Sequence, residues 1–293
     1  MKITYVTTCK GRRHHLERTL PAALAQEGVD WIVVDYGCPD GTADWIERDH
    51  PRVKVVRVTD DPGFNLARAR NLGAAAARSE WLAFLDADVL LAPGFFAQLL
   101  PRLAPGHYYL PDAGDPNTWG SCVVEKSAFL AVGGYDEAID SWGGEDNDLY
   151  TMLSLRGLRR DWYPYALLTP IRHADDERTR FHGEKSVPRA TQLNAVYRNL
   201  KLDVLRHVPG PLRLEERRHL RALARQMVEA AGTTAARGRV DLPDRGLRTR
   251  YTPPGQEPRL RCALVYEFVG DGGPDAPPGA DPGTGAPPPR GEP

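Results

Sequence analysis

In the first half of the chain, short apolar runs rich in β-branched residues alternate with longer stretches of helical composition. Ile3–Thr8 (ITYVTT), Trp31–Asp35 (WIVVD) and Val53–Val58 (VKVVRV) read as strands. Leu16–Gln26 reads as a helix with Pro21 as a kink or restart. Leu66–Arg78 is alanine-rich and helical by propensity despite Gly73. Trp81–Leu85 (WLAFL) is continuously apolar, as expected of a strand covered by helices on both faces. This alternation predicts an α/β fold built on a mostly parallel sheet flanked by helices.

The second half is less regular. Ser121–Glu125 reads as a strand, Lys126–Val132 as a short helix, Gly133-Gly134 as a break, Glu145–Arg156 as a helix and Arg160–Leu168 as a strand. Arg189–Arg206 and Leu214–Ala231 are two further helices. In the second, Leu214, Leu220, Leu223 and Met227 fall roughly on one side, which favours packing over association or a membrane surface. After about Gly232 the pattern fades, and Arg261–Val269 is expected as one isolated strand. Gly270–Pro293 holds 7 Gly and 8 Pro, which predicts a disordered tail. The expected division is therefore a catalytic domain over 1–205, a helical extension over 206–245 and an irregular tail over 246–293.

Composition narrows the function classes. A net charge of -1 in 293 residues argues against a nucleic-acid binder. No apolar run approaches the ~20 residues of a membrane span, and Met1–Leu16 lacks the apolar centre of a signal peptide. Cys9, Cys38, Cys122 and Cys262 are scattered without a C-x-x-C pair, which disfavours a zinc ribbon or a disulfide framework and favours a reduced cytosolic compartment. A soluble cytoplasmic enzyme is the expectation.

Four groups of residues carry candidate chemistry. Asp86-Ala87-Asp88 follows an apolar strand, and ligands bind at the carboxyl ends of strands in open α/β sheets. Two carboxylates at i and i+2 there can face one ligand, and such oxygens suit Mg²⁺ or Mn²⁺. The plain alternative is a solvated acidic turn. In Trp142-Gly143-Gly144-Glu145-Asp146 the glycines permit close approach or positive φ. Glu145 and Asp146 then open a helix, where the dipole favours ionised carboxylates and one can serve as a general base. An ordinary acidic N-cap needs neither Trp142 nor a glycine pair. His173 follows the strand Arg160–Leu168 and is a candidate metal ligand, with His182 an alternative; His14 and His15 are expected at the surface. Thr7, Thr8, Arg12, Asp35, Arg68, Arg70 and Asn71 are strand-end and helix polar groups. Of these, Asp35 is suited to accept from a base or ribose, and Arg70 to reach a base or pyrophosphate.

Together the opening TTCKGR, VVDYGCPDGT (33–42), NLARARNLGAAAARSEWLAFLDADV (65–89) and GGYDEAIDSWGGEDNDLYTML (133–153) resemble the GT-A fold glycosyltransferases of the family-2-like type. WGGEDNDL is similar to the acceptor-side motif of β-1,4-galactosyltransferases, polypeptide GalNAc-transferases and bacterial chondroitin-type polymerases. The likeness covers roughly residues 1–200, with 58 positions from Asp88 to Asp146 and 27 from there to His173. It implies a metal-dependent, inverting glycosyltransferase that moves a sugar from a nucleotide-sugar, a UDP-sugar above others, to an acceptor hydroxyl.

In that family's terms Asp88, with Asp86 less directly, and His173 would hold Mn²⁺ or Mg²⁺. Asp146 would be the base, and Glu145 would bind acceptor or assist. Trp142, with Gly143 and Gly144, would meet the acceptor sugar, while Thr7, Thr8, Arg12, Asp35 and Arg70 would serve the nucleotide. Two positions depart from the pattern: Tyr36 stands where a second Asp or an Asn is usual, and Pro170 where animal galactosyltransferases have a methionine ligand. The acceptor stays open among carbohydrate, lipid-linked, peptide and small molecules, its choice resting with the loops Leu103–Asn117 and Ala174–Arg189. The Arg/Ala/Gly/Pro bias suggests a GC-rich bacterial genome. The alternatives are a nucleotidyltransferase acting on sugar phosphates and an inactive sugar-nucleotide-binding protein.

Overall fold

The computed structural model describes residues 2–112, 114–207, 210–230, 237–241, 245–246, 259–260 and 263–267. It divides into two compact units, the boundary falling between Val187 and Pro188. The first unit contains, in chain order, β1 (Ile3–Cys9), α1 (Arg13–Leu24), β2 (Val29–Asp35), α2 (Thr42–Asp49), β3 (Lys54–Arg57), α3 (Leu66–Ala76) and β4 (Trp81–Phe84). Next come β5 (Val89–Leu91), α4 (Phe95–Leu99), β6 (His107–Pro111), β7 (Cys122–Glu125), α5 (Lys126–Ala131) and α6 (Glu145–Leu155). The unit closes with β8 (Arg159–Tyr163), β9 (Leu168–Pro170) and α7 (Asp175–Thr179).

Seven strands form one sheet in the order β3-β2-β1-β4-β7-β6-β8. The pairs β1–β2, β2–β3, β1–β4 and β6–β8 are parallel, while β7 runs antiparallel to both β4 and β6. Because successive side chains on a strand point to opposite faces, each strand feeds two cores. Val6, Leu82, Phe84, Tyr108 and Val124 pack with α3 and α6 residues on one face. Tyr5, Trp81, Ala83, Tyr109 and Val123 pack with α4 residues on the other. The apolar run Trp81–Leu85 is buried throughout for this reason.

Gly73 inside α3 has a packing cause. A Cβ built there would lie 2.4 Å from Val6 Cγ1 and 3.1 Å from Val34 Cγ2, so only glycine lets α3 approach the sheet this closely. Pro21 does not restart α1, which runs unbroken from Arg13 to Leu24 with Pro21 inside it.

Other expectations need correction. Arg160–Leu168 is two strands: Pro164 lacks an N–H and introduces the 3₁₀ turn Tyr165–Leu167, after which β9 leaves the main sheet to pair with β5. The segment Leu103–Asn117 is not all loop, since β6 lies within it, and Ala174–Arg189 contains α7. The helix α2 and strand β5 were not legible in the pattern.

The second unit contains α8 (Val187–His207, entered at its second residue), α9 (Leu214–Ala230), β10 (Arg237–Asp241), β11 (Arg245–Gly246), β12 (Arg259–Leu260) and β13 (Ala263–Glu267). Leu220, Leu223, Ala224 and Met227 of α9 are buried, as the one-sided pattern predicts, and the Arg221 guanidinium lies over the Tyr197 ring of α8 at 5.7 Å. The strand expected over 261–269 is not isolated, because β13 pairs antiparallel with β10 over five residues. The segment 270–293 lies outside the described residues.

Candidate active site

The end of β4 sets up the site. Leu85 N–H still donates to Val6 C=O at 3.1 Å, and the chain then turns, Val89 N–H donating to Asp86 C=O at 3.1 Å. Ala87 at the turn is buried, and its carbonyl accepts the Thr19 hydroxyl of α1 at 2.8 Å. The turn is thereby fixed, and the two carboxylates beside Ala87 take different partners. Asp86 Oδ1 is 2.7 Å from an Arg70 nitrogen. Asp88 Oδ2 is 2.6 Å from His173 Nε2 and 3.0 Å from Arg12 Nη1.

His173 reaches Asp88 across 85 residues of sequence through the short β5–β9 ladder. Val89 pairs with Pro170, and Ile171 N–H donates to Asp88 C=O at 2.7 Å. The His173 side chain is 6% exposed, with Nδ1 3.1 Å from the Ala174 carbonyl. That contact orients the ring and leaves Nε2 for a ligand, the outer support usual for a metal-binding histidine. Burial works to raise the Asp88 carboxyl, but the His173 hydrogen bond and the Arg12 charge outweigh it and hold Asp88 below its ordinary value. The same hydrogen bond raises His173. One carboxylate and one imidazole nitrogen at this spacing suit Mn²⁺ or Mg²⁺ sharing its remaining positions with water and phosphate oxygens. Asp86, expected to assist, is turned to Arg70.

A second cluster lies in the same cleft. Gly143 and Gly144 have φ of +80° and +88°, the left-handed region that disfavours side chains, and Gly144 caps α6. Glu145 and Asp146 follow in its first turn. Arg70, 3% exposed in its side chain, reaches Asp146 Oδ1 at 2.6 Å and Glu145 Oε1 at 3.2 Å from Nη1. Its other amine nitrogen holds Asp86, and the guanidinium lies 4.9 Å over the Tyr135 ring. Three carboxylates thus share one cation. Burial pushes the Asp146 carboxyl well up; Arg70 opposes this, and Glu145 and Asp86 add to it. Burial disfavours the charged Arg70, yet its anionic neighbours hold it well above its ordinary value.

Gly120 escaped the sequence reading. A Cβ there would meet Asp146 Oδ2 at 3.0 Å, Asp86 Oδ2 at 3.1 Å and Arg70 Nη2 at 3.3 Å. The position two residues before β7 must therefore be small, which no local pattern in Trp119-Gly120-Ser121 announces.

Thr8, Arg12, Arg70, Asp86, Asp88, Trp142, Gly143, Glu145, Asp146, His173 and His182 all line one cleft. Arg70 was expected beside a nucleotide, but its fork is committed to the carboxylates. Thr7 is buried and does not line the cleft. Asp35 does not line it either: its carboxylate accepts the Cys38 and Ala43 N–H groups at 2.7 Å each and so anchors the start of α2. Tyr36 is buried and donates to Asp61 Oδ2 at 2.6 Å. His15, expected at the surface, is buried beside Glu177, its Nε2 2.9 Å from Oε2, because α1 begins three residues earlier than the pattern indicates. His14 has a side chain 57% exposed. Lys10, Asn117, Glu177, Arg178 and Phe181 line the cleft as well. Arg178 lies 5.4 Å over the Trp142 ring.

Residues 4–112 match the glycosyl transferase family 2 domain, and residues 114–174 match the domain described as the N-terminal domain of galactosyltransferase. The chain carries a family 2 glycosyltransferase domain. Asp88 lies in the first of the two matched segments, Asp146 and His173 in the second. The validoxylamine A glucosyltransferase of Streptomyces hygroscopicus subsp. jinggangensis is 25% identical over 206 residues, covering 49% of this chain and 49% of that protein. The pre-mycofactocin glycosyltransferase of Mycobacterium tuberculosis is 28% identical over 212 residues, covering 56% and 43%. The chain spans less than half the length of these relatives.

Among solved structures, residues 1–349 of S. aureus TarS in complex with UDP-GlcNAc superpose with a TM-score of 0.56 at 12% identity, covering 79% of this chain and 73% of that one. The mannosyltransferase PcManGT from Pyrobaculum calidifontis, in complex with GDP-Man and Mn²⁺, gives 0.51 at 16% identity, covering 79% and 75%. These likenesses show a shared GT-A-like fold, in agreement with the mostly parallel sheet. Among the described residues no helix is long and apolar enough to cross a membrane.

Proposed function

We propose that this transferase moves a sugar from a nucleotide-sugar to an acceptor hydroxyl in a single displacement that inverts the anomeric centre. The observation that carries the proposal is the meeting of Asp88 and His173 at 2.6 Å in the cleft that also holds Asp146. Asp88 and His173 would hold Mn²⁺ or Mg²⁺. The cation, when bound, supplies Lewis-acid stabilisation of charge on the leaving nucleoside diphosphate.

The chain's own residues do the rest. Arg12, which lines the cleft beside Asp88, offers a second positive group for phosphate oxygens, as Lys10 does. Asp146 takes the acceptor proton. Its raised carboxyl value strengthens it as a base, since the ideal catalytic value lies nearer the working pH than that of an ordinary carboxylate. Arg70 is a positioning residue that holds Asp146, Glu145 and Asp86 in one place against their repulsion. Trp142, braced by Arg178, presents an aromatic surface on the acceptor side. The complexes of the two fold relatives support a nucleotide-sugar donor, and the family 2 match over residues 4–112 favours glycosyl transfer over nucleotidyl transfer.

Nucleoside diphosphate release from a panel of UDP- and GDP-sugars with Mn²⁺ tests the reading, and a protein that releases none would contradict it. Asp146→Asn should lower turnover by about 10²–10⁴-fold, the usual contribution of a general base, while nucleoside diphosphate affinity changes little. Asp88→Ala should weaken metal-dependent nucleotide binding, and an unaltered metal response would reject its role.

A further inference from the structure

Two thiols that lie 29 residues apart in the chain come together behind the stretch of β1 and the following turn from which Thr8, Lys10 and Arg12 line the cleft. Cys9 Sγ and Cys38 Sγ are 3.5 Å apart. The parallel register of β1 and β2 sets Cys9 opposite Asp35, and Tyr36 N–H donates to Cys9 C=O at 2.9 Å. The two backbones are therefore held side by side. The sulfurs need close by only about 1.5 Å to reach the disulfide length of about 2.05 Å.

Their surroundings differ in the way a reactive pair requires. Cys9 is fully buried, whereas Cys38 is half-buried in the turn after β2. Cys38 Sγ accepts the Gly11 N–H at 3.0 Å. The Thr42 hydroxyl lies 3.0 Å from the same sulfur and 2.7 Å from Asp40 Oδ1, dividing its single proton between them. The contact between the thiols, together with burial, holds Cys9 well above its ordinary value. The same contact draws Cys38 down, with Thr42 and Gly11 assisting against burial and Asp40. The more accessible sulfur is thus also the one more readily ionised, and thiolate character and access govern oxidation.

We propose that Cys38 and Cys9 form a redox pair that a hydroperoxide closes into a disulfide, and that closure weakens the donor side of the transferase site. The Cys38 thiolate attacks the terminal hydroperoxide oxygen; the O–O bond breaks, leaving Cys38–SOH and an alkoxide or hydroxide that takes up a proton. The Cys9 sulfur then attacks the sulfenic sulfur. The S–O bond breaks, the Cys9 proton and the departing hydroxyl leave as water, and the S–S bond forms. Sulfur supplies both electrons that reduce the peroxide.

The link to function runs through Gly11. Its N–H is held by the Cys38 sulfur, its φ is +67°, and the Phe181 ring fills the space of a Cβ. Arg12 follows and binds Asp88. A disulfide sulfur is a poorer acceptor than a thiolate, so closure releases the Gly11–Arg12 turn. This part rests on the functional reading above.

The test treats the full chain with equimolar hydrogen peroxide, unfolds it in guanidinium chloride containing N-ethylmaleimide to block every remaining thiol, and digests it without reduction. A peptide pair joined through Cys9 and Cys38, cleaved by dithiothreitol, is expected, with Cys122 recovered as its maleimide adduct. Recovery of both cysteines as adducts, or of Cys38 as sulfinic or sulfonic acid with no joined pair, would overturn the redox pair. Cys38→Ser should give no joined peptide. Cys9→Ser should leave Cys38–SOH trapped by dimedone, and the wild-type result stands even if that buried variant folds poorly. UDP and GDP affinities with Mn²⁺ are then compared in joined and reduced protein. At least a fivefold loss, reversed by dithiothreitol, is expected, and unchanged affinity in the joined protein would overturn the coupling. Reduced protein that binds neither nucleotide would overturn the functional reading and the coupling with it, while the joined peptide still decides the pair.

Discussion

Arg70 is where a single side chain decides the chemistry of several others. A lysine there keeps a positive charge but lacks the planar fork that reaches Asp86, Glu145 and Asp146 together. Each charge-assisted hydrogen bond lost is worth about 1.5–3 kcal/mol, so Arg70→Lys should cut kcat by about tenfold or more, read by steady-state kinetics. The pH profile separates positioning from a merely structural role. Asp146 must be ionised to act, and its carboxyl already sits above the ordinary value, so turnover should fall on the acid side at a pH above that of a simple carboxylate. Weakening the Arg70 attraction raises Asp146 further. The acid limb of Arg70→Lys should therefore move to higher pH, and a limb that stays put would show that Arg70 does not tune the base. Gly120→Ala crowds Asp146 Oδ2 and Asp86 Oδ2 within about the same shell and should lower kcat with little change in melting temperature. At this scale the sequence showed which residue types were present but not their partners. Asp86, Asp88, Glu145, Asp146 and His173 stood out because their motifs are local, whereas Arg70's commitment to carboxylates 16, 75 and 76 positions away had no local trace.

Among the elements, α3 and the β5–β9 ladder matter most. Gly73→Ala would place a methyl 2.4 Å from Val6 Cγ1, and overpacking of a dense core costs about 1–3 kcal/mol. The midpoint of urea unfolding should fall accordingly, with an unchanged slope. The strands β1 to β4 and the helices α1 and α3 were legible, the strands because burial on the sheet faces writes apolar runs such as Trp81–Leu85. The three-residue strands β5 and β9 were not, since a pairing of residues about 80 positions apart leaves nothing in either segment to mark it. The split of Arg160–Leu168 into two strands follows from Pro164, which the apolar pattern alone does not weigh.

At the scale of the whole molecule, a chain with net charge -1 gathers five carboxylates (Asp86, Asp88, Glu145, Asp146, Glu177) and four cations (Lys10, Arg12, Arg70, Arg178) around one cleft. Such a balance favours joint binding of a divalent cation and a diphosphate over either alone. Mn²⁺ and UDP together should raise the melting temperature by more than the sum of their separate effects, and chelation with EDTA should abolish the excess. His173→Ala should shrink that excess while leaving the melting temperature without ligands within a few degrees. Overall charge gave no hint of this concentration, because it sums every charge without regard to its position.

The β5–β9 ladder also constrains how such proteins can be recombined. Since Asp88 and His173 come from segments that match two separate domain descriptions, neither segment owns the pair; it exists only while Val89 faces Pro170. A hybrid built by exchanging one segment between relatives inherits both halves of the pair on paper. It keeps them as neighbours only if the three-residue seam between the segments is transplanted in step, and a shift by one position would turn the imidazole towards the opposite side.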